Sequence, residues 1–272
     1  IVSDLLITTT HNDILFFTNR GRAFVLKAYE IPESGRQAKG TAIVNLLAIE
    51  SDERITAVIQ VKEFKPDRFL FLATKRGVVK KTPLAEFGSI RKSGLKAVNL
   101  DEDDELIGVK FTDGENRIML GTRHGKAIAF PEDGVRSMGR VTRGVRGISL
   151  SDGDEVVAMD LLKADSEVLT VTEGGYGKRT PAEEYRTQTR GGKGLINMKV
   201  TDKTGPVVGI RVVRENQELM LITTDGIVIR TTVDEISLIS RNTQGVKLMT
   251  LGESDRVASM ATMNRIVDAP ID

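Results

Sequence analysis

The chain has 272 residues, 39 of them basic and 38 acidic, and its net charge of +1 excludes any argument from total charge for or against a polyanionic partner. It contains no cysteine, which excludes disulfides and thiolate zinc sites and fits a reducing compartment. Aromatic residues make up 4 % with no Trp, against blades of the WD type and against a base-stacking surface for single strands. The longest apolar runs are strand-sized, far below the ~20 residues a membrane helix needs, and no signal peptide is present; the expectation is a soluble, cytoplasmic chain without a membrane partner.

Three elements recur about every 50 residues, a period typical of propeller-like blades. The first is an acidic or polar turn running into an apolar stretch. It begins at Ser3-Asp4, Asp52-Glu53, Asp104-Glu105, Asp154-Glu155, Gly205-Pro206 and Asp255-Arg256. The second is an apolar run closed by Thr-x-x-Gly, at Thr18 to Gly21, Thr74 to Gly77, Thr122 to Gly125, Thr172 to Gly175 and Thr223 to Gly226. These predict tight hairpins in which Gly supplies a positive φ between β-branched flanks. The third is a basic loop closed by Gly, at Arg36 to Gly40, Arg91 to Gly94, Arg140 to Gly144, Arg190 to Gly194 and Arg241 to Gly245.

One blade cannot bury both of its faces, so the expected fold is all-β: a propeller-like ring of four-stranded antiparallel blades forming one domain over 1–272. Six copies of the first element predict six blades. A full six-fold ring needs roughly 300 residues, so the first blade is expected to be incomplete at the N-terminus. The segment from Asn264 to Asp272 falls outside the repeat.

The loop Gln188-Thr189-Arg190-Gly191-Gly192-Lys193-Gly194 is not a nucleotide P-loop, because Gly rather than Ser or Thr follows Lys193. Closely spaced glycines let a backbone approach a phosphate, amides can donate to it, and Arg190 and Lys193 supply charge. A flexible basic turn is the competing reading for this loop alone. The segment resembles the box motif Gln-Arg-Arg-Gly-Gly-Lys-Gly of the C-terminal domains of gyrase A proteins, departing from it at Thr189. Further resemblance lies in Ile14 to Arg22, Ile43 to Leu47, Asp52 to Thr56 and Tyr176 to Thr180, so that it spans nearly the whole chain in order.

The resemblance implies a six-bladed β-pinwheel that wraps duplex DNA on a basic rim, within an ATP-hydrolysing type IIA DNA topoisomerase. ATP and magnesium would serve that parent, with no cofactor in this domain, and the partners would be double-stranded DNA, the rest of gyrase A, and gyrase B. By itself the domain would be monomeric. The family's box belongs to the first blade, so the loop at Gln188 is expected to be a secondary copy in the fifth. The equivalent domain of topoisomerase IV and a propeller used as a protein scaffold remain alternatives.

Candidate DNA contacts are the loop residues Arg36, Lys39, Arg91, Lys92, Lys96, Arg140, Arg143, Arg146, Gln188, Arg190, Gly191, Gly192, Lys193, Gly194, Arg241 and Lys247. A second set surrounds the hairpin turns: Lys75, Arg76, Lys80, Lys81, Arg123, Lys126, Lys178 and Arg179. Any one of these is more often a solvated turn charge; recurrence in register supports the set. His11 and His124 sit at separate turns, and no spacing of Ser, His and acid or of metal ligands suggests catalysis.

Overall fold

The computed structural model describes residues 11–35 and 37–264. The Ser3 lead-in, Arg36 and the tail beyond 264, on which expectations were placed above, lie outside the described residues. The strands in chain order are β1 (Asp13–Thr18), β2 (Arg22–Lys27), β3 (Ile55–Val61), β4 (Phe69–Thr74), β5 (Val78–Pro83), β6 (Leu95–Lys96) and β7 (Leu106–Thr112). Next come β8 (Arg117–Thr122), β9 (Lys126–Pro131), β10 (Val145–Arg146), β11 (Val156–Leu161), β12 (Glu167–Thr172) and β13 (Tyr176–Pro181). The last are β14 (Leu195–Ile196), β15 (Val207–Val213), β16 (Gln217–Thr223), β17 (Val228–Thr232), β18 (Val246–Lys247) and β19 (Val257–Asn264).

These form five small antiparallel sheets with orders β3-β1-β2-β6, β10-β5-β4-β7, β11-β8-β9-β14, β15-β12-β13-β18 and β17-β16-β19. Each sheet is a hairpin flanked by strands from the next repeat: the apolar lead-in on one side and, in four sheets, a two-residue strand from the glycine loop on the other. This arrangement corrects the blade count. A lead-in strand pairs backwards with the hairpin before it, so six lead-ins delimit five hairpins, and the described residues hold five sheets rather than six. The first sheet is complete. The three-stranded one is the last, where β17 has no second neighbour among the described residues. Asn264 also belongs to the repeat, since it pairs with Gln217.

The chain folds into two compact units, one holding the first two sheets and the other the last three. In the two-sheet unit, Leu15, Phe17 and Ala23 pack with Leu70, Leu72, Leu84 and Phe87, and the Phe17 and Phe87 rings meet edge to face at 5.8 Å. Burying side chains of this size stabilises by about 1.5–3 kcal/mol each. In the three-sheet unit, one core joins Met119, Ala127 and Ala129 to Val168, Tyr176 and Ile210, and another joins Leu169 and Val171 to Leu219, Leu221 and Val257. The sheets approach so closely that a Cβ on Gly121 would lie 1.9 Å from Ile210 Cδ1.

Candidate nucleic-acid interface

The hairpin turns and the glycine loops are separate segments of each repeat. The strand that closes a loop pairs with the residues just after the turn Gly of the hairpin one repeat earlier, yet the structure treats the charges of turn and loop differently. At the turns, the Thr of Thr-x-x-Gly is buried, and its Oγ1 accepts the amide N–H of the residue after the Gly. The donors are Arg22, Val78, Lys126, Tyr176 and Ile227, to Thr18, Thr74, Thr122, Thr172 and Thr223, at 3.0–3.3 Å. In three turns the lead-in acid of the next repeat caps the same turn, and in the fourth, whose lead-in is Gly205-Pro206, the Gly174 amide donates to Thr204 O at 2.8 Å instead. Asp104 accepts the Arg76 amide at 3.0 Å, Asp154 the His124 amide at 2.9 Å and Asp255 the Asp225 amide at 3.0 Å. These acids are therefore turn caps rather than solvated strand leads, which is why Asp or Glu recurs there. In the first turn, Glu53 accepts from Thr18 Oγ1 at 2.6 Å and from Arg22 Nε at 2.9 Å. Burial pushes the Glu53 carboxyl up, but the Arg22, Thr18 and Glu50 donors outweigh it and hold it down to about 2.

The turn set of candidate contacts is correspondingly occupied. Arg76 Nε donates to Asp103 O at 3.3 Å, and Arg123 pairs with Glu173 at 2.9 Å. Arg179 pairs with Glu167 at 2.6 Å and donates to Ile236 O at 2.7 Å. Lys75 and Lys126 are half-buried. Three turn lysines correct the sequence expectation outright. Lys80, Lys81 and Lys178 are only 1 %, 7 % and 0 % exposed, so no phosphate can reach their ammonium groups without opening the sheet. Lys81 lies over the Phe69 ring and donates to Glu132 O at 3.3 Å. Lys80 and Lys178 reach under the loops, and burial pulls the pKa of each down to about 8.

The loop set is more open. Lys39, Arg91, Lys92, Lys96, Arg143, Arg146, Lys193 and Lys247 are exposed, while Arg140, Gln188, Arg190, Gly191, Gly192, Gly194 and Arg241 are half-buried. Arg143 faces Asp101, with Nε and Nη2 at 2.6–2.9 Å from its carboxylate. Arg241 Nη1 donates to Ile196 O at 2.8 Å. The loop closings demand glycine: Gly144 (φ +99°) and Gly194 (φ +79°) would place a Cβ 2.4 and 2.5 Å from the carbonyls of Val79 and Ala127.

Adjacent loops touch through main-chain bonds within each unit. In the two-sheet unit, Asn99 N–H donates to Thr142 O at 2.9 Å, joining the segment after the Arg91 to Lys96 loop to the loop of Arg140, Arg143 and Arg146. In the three-sheet unit, Lys199 N–H donates to Thr243 O at 2.9 Å, joining the segment after the Gln188 to Gly194 loop to the loop of Arg241 and Lys247. The box-like loop from Gln188 sits as the outer edge of the third described sheet, not of a fifth blade. Its Gln188 amide donates to Ala129 O at 2.8 Å, and Leu195–Ile196 pair with β9. The first loop differs again: the described residues after Lys39 form a 3-10 turn at Ile43–Asn45 and add no strand to any described sheet.

Sequence reasoning missed the buried polar framework under the loops. Tyr185 donates its hydroxyl to Asn197 Oδ1, and Asn197 Nδ2 donates to Thr170 Oγ1 at 3.0 Å; burial pushes the Tyr185 hydroxyl up. A Lys three residues after a turn Gly, where the other hairpins carry Phe24, Ile128 and Ile229, was the available signal for Lys80 and Lys178. Among the described residues no group of three or more His, Asp or Glu could hold a metal, and no helix is long and apolar enough to cross a membrane.

Repeated hairpin sheets, four of the five described taking a short strand from a basic loop of the next repeat, define a propeller-type repeat protein with basic residues recurring at its loops. The chain belongs to the DNA gyrase C-terminal domain, beta-propeller family. Its residues 12–62, 68–113, 116–163, 166–214 and 217–262 match that family, one match for each described sheet. It is 55 % identical over 271 residues to the DNA gyrase A protein of Halalkalibacterium halodurans, covering 100 % of this chain and 32 % of that protein. It is 46 % identical over 267 residues to the DNA gyrase A protein of Escherichia coli, covering 98 % of this chain and 30 % of that protein. The chain thus spans about a third of the length of the curated relatives it matches. Among solved structures, the C-terminal domain of DNA topoisomerase IV matches with a TM-score of 0.87 at 28 % identity, covering 94 % of this chain and 80 % of that one. A DNA gyrase A C-terminal domain matches with a TM-score of 0.80 at 25 % identity, covering 94 % and 83 %.

Proposed function

We propose that this domain is a non-catalytic module of DNA gyrase A that binds, bends and wraps duplex DNA along its glycine loops. The observation that carries this reading is the main-chain contact between neighbouring loops, which joins the bases of one repeat to those of the next within each unit. Phosphate contacts carry no sequence code, so binding is sequence-independent and falls steeply with salt. Bending a site by 40–90° costs about 1–6 kcal/mol, which contacts distributed over several loops offset.

In the whole protein, such wrapping would present a DNA crossing to a type IIA topoisomerase core, which passes strands with ATP and magnesium outside this chain and so supercoils the DNA. Its partners there are the rest of gyrase A and the gyrase B protein, its compartment is the cytoplasm, and the separate domain is a monomer. The equivalent domain of topoisomerase IV shares the fold, but identities of 46–55 % to gyrase A proteins favour the gyrase reading.

The test is affinity for a duplex of about 40 base pairs across a salt series, for wild type and for Arg190→Ala/Lys193→Ala. Each lost phosphate contact is expected to make the slope of log affinity against log salt shallower by about 0.9. An unchanged slope would remove that loop from the interface, and no binding by wild type at low salt would sink the DNA reading.

A further inference from the structure

Three residues after the turn glycine, two of the five hairpins carry lysine, Lys80 and Lys178, where the others carry Phe24, Ile128 and Ile229. Lys80 Nζ donates to Ala97 O at 2.6 Å, to Thr142 O at 3.3 Å and to Arg140 O. Lys178 Nζ donates to Ser240 O at 2.8 Å, to Thr243 O at 3.3 Å, to Thr243 Oγ1 at 2.9 Å and to Arg241 O. Carbonyl oxygens gathered at one point repel one another, and an ammonium group, with three donors and no acceptor, is the side-chain group that satisfies them together. The same place is apolar in the neighbouring loops: Gly94 rests on the Phe24 ring and Gly194 on Ile128. Loops therefore alternate between a lysine seat and an apolar seat.

We propose that Lys80 and Lys178 are positioning residues for DNA contact, each clamping the glycine loop above it, Arg140 to Gly144 or Arg241 to Gly245, so that the loop presents its bases to phosphate. This rests on the DNA-binding reading above. The clamp also joins loops, because Thr142 O and Thr243 O, each bound by a lysine, accept the amides of Asn99 and Lys199 from the preceding loop.

The clamp depends on the proton. A neutral amine offers two hydrogens and turns a lone pair towards a carbonyl, so deprotonation removes at least one bond from each loop. Burial lowers both lysines; Glu86 opposes it and Arg140 adds to it at Lys80, as Glu184 and Arg241 do at Lys178. These are the charged groups acting on the two amines, and the Glu184 carboxylate also accepts the Arg241 amide at 3.1 Å. Each clamp is therefore expected to slacken as pH rises through about 8. Global stability moves the other way. The unfolded chain binds more protons at these lysines between pH 8 and 10.5, so their contribution to stability increases over that window. The opposite signs separate loop positioning from a merely structural role.

The experiment measures amide exchange together with duplex affinity, at pH 7 and about 9.5, for wild type, Lys80→Met and Lys178→Met. Lys80→Met is expected to lower protection at Asn99 at least tenfold with Lys199 unchanged, and Lys178→Met to do the reverse. The amide of Asn197, in the apolar-seated loop, is the reference. Each variant should bind duplex several-fold more weakly with a shallower salt slope, and the double variant should lose the pH step that wild type shows. Unchanged protection at both amides overturns the clamp; lost protection with unchanged affinity and slope overturns its role in DNA contact. If a variant does not fold, the pH dependence of Asn99 and Lys199 protection in wild type, relative to Asn197, decides the matter, and parallel behaviour of all three overturns the clamp. Failure of wild type to bind duplex would sink the DNA reading itself, while the exchange data still judge the clamp.

Discussion

The hairpin turns and the glycine loops both carry recurring basic residues, yet the structure uses them in opposite ways. At four of the five described turns an acid from the following repeat binds the hairpin, and most of the bases are paired, buried or bound to carbonyls. At the loops, most bases are exposed, and their close partners include main-chain carbonyls and, for Arg143, the exposed carboxylate of Asp101. Charge recurring in register thus identifies a repeated environment, and only the partner in space decides whether that environment faces a ligand or the protein itself.

The sharpest break of this contrast is at Glu53, whose side chain is fully buried beside Arg22. Replacing it with Ala removes the acceptor of Thr18 and Arg22, whose half-buried guanidinium is left with Ala48 O and the Phe24 ring. The change is expected to cost about 1–3 kcal/mol in urea unfolding at pH 7, with duplex affinity of the folded protein unchanged. The pH dependence follows from the carboxyl being held at about 2 against 4.5. Its folded pKa is depressed, so its contribution is fully present above pH 4.5 and is lost as pH falls towards 2. A wild-type stability profile flat over that window, or one shared by Glu53→Ala, would remove this pair as its cause.

A loss of stability in the same range, about 1–3 kcal/mol, is expected for Thr122→Val, which leaves the Lys126 amide without its acceptor. Chemical denaturation measures it, and no loss would mean that the Thr of Thr-x-x-Gly is a packing residue only. The comparison is tested directly by two multiple variants. Lys92→Ala/Lys193→Ala/Lys247→Ala should reduce the salt slope of duplex binding by about 0.9 for each contact removed, whereas Arg76→Ala/Arg123→Ala should leave it unchanged. Equal effects would collapse the distinction between turns and loops. The smallest effect is expected from Asp101→Asn, which removes the carboxylate partner of the exposed Arg143: stability should hardly change while duplex binding tightens slightly, and weaker binding would show that Asp101 orients Arg143 for contact.

Much of the fold can be read from the chain because local chemistry imposes it. The Thr-x-x-Gly turns, with Gly21, Gly77, Gly125, Gly175 and Gly226 all at positive φ, and the β-branched runs on either side dictate five hairpins without reference to anything distant. The basic glycine loops are equally visible, since a positive-φ closing residue beside Arg or Lys is a local pattern. What the sequence does not say is which hairpin a lead-in strand joins. The pairing of Ile55–Val61 with Asp13–Thr18 spans some 40 residues and is chosen by burial of Val61 and Leu15 in a shared core, so six lead-ins suggest six blades where the described residues form five sheets. The fate of each charge is decided at the same level. Lys80 and Lys92 are the same residue type in the same repeat, but β5 is covered on both faces and buries Lys80 against the Ala97, Arg140 and Thr142 carbonyls while the loop leaves Lys92 in solvent, because only the assembled sheets bring those carbonyls together.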